Sequence, residues 1–177
     1  MQNKIIQLKA IAERYNQKSK DSLLWRDIQT VFDCSDRKAK KLAKTYCNCI
    51  SFYMCLYASD LIDISFSEYL ETGYNQKVFF GGKWRNHNIT EKGYIYDKEK
   101  LCKKLGVDFD LFIIRDKELF FDPSSLNENS IYQVRIKTGF GSNHFMSCLI
   151  DDGEFKVFDT WGGKEVTDKN FDAVIEV

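Results

Sequence analysis

The segment that most limits what this chain can fold into is CNCISFYMCLYASDLIDI, residues 47–64, which is apolar on nearly every side for eleven residues and holds neither glycine nor proline. A helix that is hydrophobic all round has no face to turn toward water, so other elements must enclose it. The sequence therefore predicts a central, buried helix with partners drawn from both flanks. The chain is long enough to supply them: 177 residues with 44% apolar and 15% aromatic content support one full core, with or without a small appendage. Charged residues make up 29%, and no apolar run approaches the length of a membrane span.

Upstream, three short amphipathic helices are expected. Ile5, Leu8, Ile11 and Ala12 recur at helical spacing; Asp21 or Ser22 can cap a helix carrying Leu24, Ile28, Val31 and Phe32; and Ser35 can cap a third whose stripe is Ala39, Leu42 and Ala43. The net charge of the whole chain is zero, but residues 1–45 hold eleven Lys+Arg against five Asp+Glu, so +6 there is balanced by −6 over residues 46–177. A nucleic-acid partner, if there is one, belongs to this first quarter. The organisation expected is a basic helical segment over 1–45 followed by an α+β domain over 46–177.

Downstream the period changes. An amphipathic helix from Asp97 to Leu105, closed by Gly106, follows an aromatic, glycine-punctuated stretch that includes a turn at residues 79–84. After it, residues 111–115, 119–121, 131–137, 144–150, 154–159 and 173–177 are short β-branched or aromatic segments separated by turn signals such as Asp152–Gly153. In residues 131–137, Tyr132, Val134 and Ile136 alternate with Gln133, Arg135 and Lys137, which predicts a strand with one wet face. Helices first and an antiparallel sheet second define an α+β chain.

The amino-terminal stretch interleaves charges with its apolar residues and does not read as a signal peptide, so a cytoplasmic location and reduced thiols are expected for the six cysteines. Cys47 and Cys49 are too close together for the usual zinc spacing, and only His87 and His144 could join them. No metal and no cofactor are expected.

A cysteine nucleophile needs a helix N-terminus, a histidine to share its proton and a polar group to orient that histidine. Cys47 and Cys49 begin the buried helix, His144 opens a strand, and Asp159 ends the next one. A hairpin turning at Asp152–Gly153 would carry His144 and Asp159 to the same end of neighbouring strands. The competing reading of the cysteines is that they are small core residues.

With these residues the chain resembles the papain-like cysteine peptidases. NCISFYMCLYA is similar to the nucleophile helix of the cell-wall peptidase branch, and HFMSCLIDDGEFKVFDTWGG to the His-strand, turn and Asp-strand of the bacteriocin-processing branch, ending in Trp161–Gly162–Gly163. The resemblance implies a papain-like fold, a peptide or protein substrate, and acyl transfer through a Cys–His–Asp triad, active or degenerate. It leaves the nucleophile open. The two cysteines lie about 200° apart around a helix and cannot both face His144; the cell-wall register prefers Cys49, preceded by Asn48, and the bacteriocin-type register prefers Cys47. Cys49 is preferred here. The glutamine that family members place about six residues before the cysteine falls at Ala43 or Lys41, so the oxyanion donor would come from Asn48, Tyr46 or backbone N–H groups. A loop must also interrupt the chain just before the cysteines, a task left to Thr45 and Tyr46.

Residues 23–44 also resemble a helix-turn-helix, with Arg37, Lys38, Lys40, Lys41 and Lys44 on the second helix available to nucleic acid. The second functional class is thus a non-catalytic interaction or DNA-binding protein, of a size that suits a mobile element, using this basic face or the aromatic residues around 79–84. Against it stands the simpler reading of a solvated basic face on a helix packed against the body.

Overall fold

The computed structural model describes residues 1–79, 83–84, 87–88, 95, 97–108, 112–114, 126–128, 130–137, 143–162 and 171–176. Six helices and two antiparallel sheets stand among them: α1 (Gln2–Arg14), α2 (Leu23–Phe32), α3 (Asp36–Ala43), α4 (Cys47–Ala58), α5 (Phe66–Asn75), β1 (Lys83–Trp84), β2 (His87–Asn88), α6 (Lys98–Leu105), β3 (Phe112–Ile114), β4 (Ile131–Lys137), β5 (Asn143–Asp151), β6 (Glu154–Phe158) and β7 (Phe171–Glu176). The chain is α+β. β1 and β2 form a two-stranded ribbon, and the other five strands form one sheet in the order β3-β7-β4-β5-β6. The expected strand at 119–121, the turn at 79–84 and Gly163 lie wholly or partly outside the described residues.

The helix starts follow local chemistry. Ser22 and Ser35 accept backbone N–H bonds from Leu24 and Lys38, capping α2 and α3. Between those helices Asp33 turns the chain in the left-handed region at φ 42°. α5 begins with a full capping box, in which Ser65 and Glu68 satisfy each other's backbone N–H groups. Asp152 and Gly153, at φ 53° and 74°, supply the two left-handed residues of the tight β5–β6 hairpin.

α4 is the centre of the molecule. Every residue in it except Tyr57 is buried, and Ile50, Phe52, Met54 and Leu56 each contribute roughly 1.5–3 kcal/mol by leaving water. The helix ends at Ala58, and the chain then turns through a left-handed Asp60. Leu8, Ile11, Leu24, Ile28, Ala39 and Ala43 from α1–α3 join α4, α5 and α6 in one continuous core, so the basic first quarter is built into the body.

The sheet presents two buried faces around β4 and β5. Tyr132, Val134, Met146, Cys148 and Ile150 pack together on one. The other lies on α4, and there the expected wet face of β4 is instead enclosed at Gln133, which is 1% exposed. A buried amide is tolerated because it is fully used. Gln133 donates to Ser51 Oγ at 2.6 Å and to the Asn48 carbonyl at 2.9 Å, and it accepts from Lys98. Ser147 Oγ adds a bond to the Ser51 carbonyl at 3.0 Å. These bonds fix the height and rotation of α4 against β4 and β5, and with them the position of its first residue.

Candidate functional site

α3 stops at Ala43. Thr45 N–H and Oγ1 both bond the Leu42 carbonyl, and Tyr46 N–H bonds the Ala43 carbonyl, so residues 44–46 form a tight junction before α4 starts afresh at Cys47. Cys47 therefore occupies the first helical position, where N–H groups lie outside the intrahelical ladder and the helix dipole is positive.

His144 stands near the start of β5 and Asp159 just beyond β6, brought side by side by the hairpin. His144 Nε2 and Asp159 Oδ1 are 2.7 Å apart, with both side chains under one-tenth exposed. The Cys47 thiol is the imidazole's other polar neighbour and, with Asp159, acts to raise it; Nε2 being committed to Asp159, Nδ1 is the nitrogen left to face sulfur. Burial is the largest single influence on His144 and opposes its charging. The hydrogen bonds and charges of Asp159 and Cys47 together outweigh it and lift the imidazole from 6.5 to about 9. Trp161 closes the arrangement: its backbone N–H bonds Asp159 Oδ1 at 2.7 Å, and its ring lies 5.3 Å from the His144 ring at 34°.

Cys49 is not part of this cluster. It is fully buried on the opposite side of α4, with the Tyr69 hydroxyl as its polar neighbour, and burial pushes its thiol well above the ordinary value. The preference for Cys49 over Cys47 is thus reversed by the geometry: a helix rotated to present Cys47 to His144 must turn Cys49 into the core. Burial likewise raises Cys55 and Cys102 to about 12 and Cys148 well above its usual value. Asn48 is occupied as well. Its side-chain oxygen accepts Ile95 N–H at 2.9 Å and its carbonyl accepts Gln133, so its acceptors anchor α4.

Gln17 was not signalled by the sequence, since it lies far upstream of either cysteine and belongs to no motif. It is 3% exposed and joins the two halves of the site. Its Nε2 donates to the Ala43 carbonyl at 2.6 Å, just before the Cys47 helix. Its Oε1 accepts from Thr160 Oγ1 at 3.1 Å, and its N–H bonds the Thr160 carbonyl at 2.8 Å, next to Asp159.

The basic residues take different surroundings. Arg37, Lys38, Lys40, Lys41 and Lys44 are all exposed on α3 or just after it, while Ala39 and Ala43 are buried beneath them. Lys40 pairs with Asp36 at 2.6 Å and sits 4.9 Å from the Trp25 ring centre.

No group of His, Cys, Asp or Glu able to hold a metal ion occurs among the described residues, nor does any helix long and apolar enough to cross a membrane. No protein-family model matches the chain, and no curated protein or solved structure matches it either.

Proposed function

We propose that the chain is a papain-like thiol hydrolase that acts on a peptide or protein acyl group, with Cys47 as nucleophile, His144 as general acid and base, and Asp159 as the group that orients the imidazole. The observation that carries this reading is the buried His144–Asp159 pair, bonded at 2.7 Å, with Cys47 beside the imidazole at the first turn of a buried helix. An imidazolium beside sulfur at a positive helix end is the environment that favours a thiolate.

In the reaction, Cys47 Sγ attacks the acyl carbon and His144 passes its proton to the leaving amine, so that a thioester forms as the amide bond breaks. Water, deprotonated by His144, then attacks the thioester, releases the acid and restores the thiol. Backbone N–H groups of the first turn of α4 stabilise the oxyanion. Asp159 holds the ring from the Nε2 side throughout, and Trp161 shields that bond from water. Six unpaired cysteines suit a reducing, cytoplasmic setting.

The test is alkylation by iodoacetamide followed by mass spectrometry across pH 5–9. Cys47 should be modified well below pH 8, ahead of every other cysteine, and His144→Ala should abolish that advantage. Modification of Cys47 no faster than a free thiol, or with a pH profile that His144→Ala leaves unchanged, refutes the assignment.

A further inference from the structure

Between α2, α3 and the Trp161 ring the fold leaves a cavity of about 500 Å³ lined by Gln17, Lys18, Trp25, Lys40, Lys44 and Trp161. It shares a wall with the candidate triad, because the Trp161 ring that forms one side also lies against His144. Lys44 stands in the junction just before Cys47, and Gln17 reaches from the cavity to the same junction through the Ala43 carbonyl. The cavity thus borders the candidate triad through Trp161.

The lining is one-sided in charge. Three lysines and no carboxylate form it. Lys40 is matched by Asp36, whereas Lys18 and Lys44 make no ion pair with a carboxylate among the described residues. Lys18 lies 5.1 Å from the centre of the Trp161 ring, so the aromatic face takes the place of an acidic partner. Two tryptophans supply flat apolar walls and two cations without counter-charge stand at the rim, a combination that accepts a short apolar stem ending in an anion.

We propose that this cavity is a substrate pocket for a carboxylate-bearing side chain, and that the hydrolase acts on peptides with a glutamate or aspartate next to the scissile bond. The inference rests on the function proposed above. A concave pocket of this size suits one side chain, whereas of the exposed run Arg37, Lys38, Lys40, Lys41 and Lys44 only Lys40 and Lys44 line the cavity.

The experiment compares two alkylating agents that differ in charge alone. Iodoacetate is an anion and iodoacetamide is neutral, and both transfer the same carbon to sulfur. On Cys47 the iodoacetate to iodoacetamide rate ratio should exceed that of glutathione by about tenfold, the lower range of electrostatic focusing in a cleft. Lys18→Gln combined with Lys44→Gln should lower the ratio several-fold, the loss falling on the anionic reagent and the remainder being the preference that the His144 imidazolium itself confers. Fast reaction with both reagents and no anion preference overturns the pocket while leaving the hydrolase intact. Slow reaction with both overturns the hydrolase, and the pocket is then judged by a measurement that needs no reactive thiol. Tryptophan fluorescence is titrated with millimolar acetyl-Ala-Glu-Ala-amide, its Gln counterpart, and a single-stranded oligonucleotide. Saturable quenching by the Glu peptide alone, lost in the double lysine variant, supports the pocket. Equal response to Glu and Gln peptides, response to neither, or response only to the oligonucleotide overturns it.

Discussion

Replacing Asp159 with asparagine separates the charge of the site from its shape. The amide keeps an oxygen for Trp161 N–H and for His144, now bonded at 2.7 Å each, but removes the negative charge that holds the imidazole protonated. His144 in the native chain titrates at about 9, against 6.5 for an unperturbed imidazole. Because the folded value is raised, the folded state binds more protons between these limits, so the stabilisation is complete below pH 6.5 and disappears as pH rises through about 9. Linkage puts it at about 3 kcal/mol at pH 6, roughly 2–3 kcal/mol at pH 7 and well under 1 kcal/mol at pH 9.

In Asp159→Asn, burial and Cys47 remain and the share of Asp159 in opposing burial is lost. The His144 value falls, and with it the pH 6 to pH 9 dependence of stability shrinks. Among the described residues, Lys98 and Asp27 are shifted into or near this window. Burial pushes Lys98 down to about 8, which makes stability rise with pH through that range, and raises Asp27 to about 6. Both remain in the variant, so the difference between the two proteins isolates His144. Urea denaturation at pH 6, 7, 8 and 9 measures it, and NMR of the imidazole carbons in a His87→Gln background leaves a single histidine to titrate. The reasoning fails if the two stability curves run parallel from pH 6 to pH 9, or if the His144 resonance titrates near 6.5 in the native chain.

Two further substitutions test how the frame is held. Asp33 turns the α2–α3 connection at φ 42°, a conformation that costs a residue with a side chain about 1 kcal/mol. Asp33→Gly should therefore raise the urea midpoint, by the equivalent of about 0.5–1 kcal/mol, without altering the far-UV circular dichroism. Gln17→Leu removes the link between the Ala43 carbonyl and Thr160 and should cost about 1–3 kcal/mol in the same assay. It should also slow Cys47 alkylation, since the segment before α4 is released from the segment after Asp159; unchanged alkylation would show that Gln17 supports the fold without positioning the site.

The legible parts of this molecule are those whose cause is local. The all-round apolar character of residues 47–58, the serine caps at 22 and 35, the Asp97 and Gly106 limits of α6 and the Asp152–Gly153 turn all act within a few residues, and each appears in the fold at that place. α5 was equally local and went unread, although Ser65 and Glu68 stand at the spacing of a capping box. What the sequence withheld was decided by rotation and by distance. Cys47 and Cys49 differ by two residues, and nothing near them says which way α4 turns; the answer lies in Gln133 and Ser147, far along the chain, whose bonds to Ser51 and to the Asn48 carbonyl lock the helix against the sheet. The same amide explains why period two misled: Gln133 is polar because it holds α4, so alternation in β4 marks a bonded interior face where a solvated one was expected. Gln17 is the extreme case, a residue whose role exists only once α1, the α3–α4 junction and the end of β6 have met. The positive first quarter acquires a meaning by the same route, because Lys18 and Lys44 become a pocket only when Trp161 arrives from the other end of the chain.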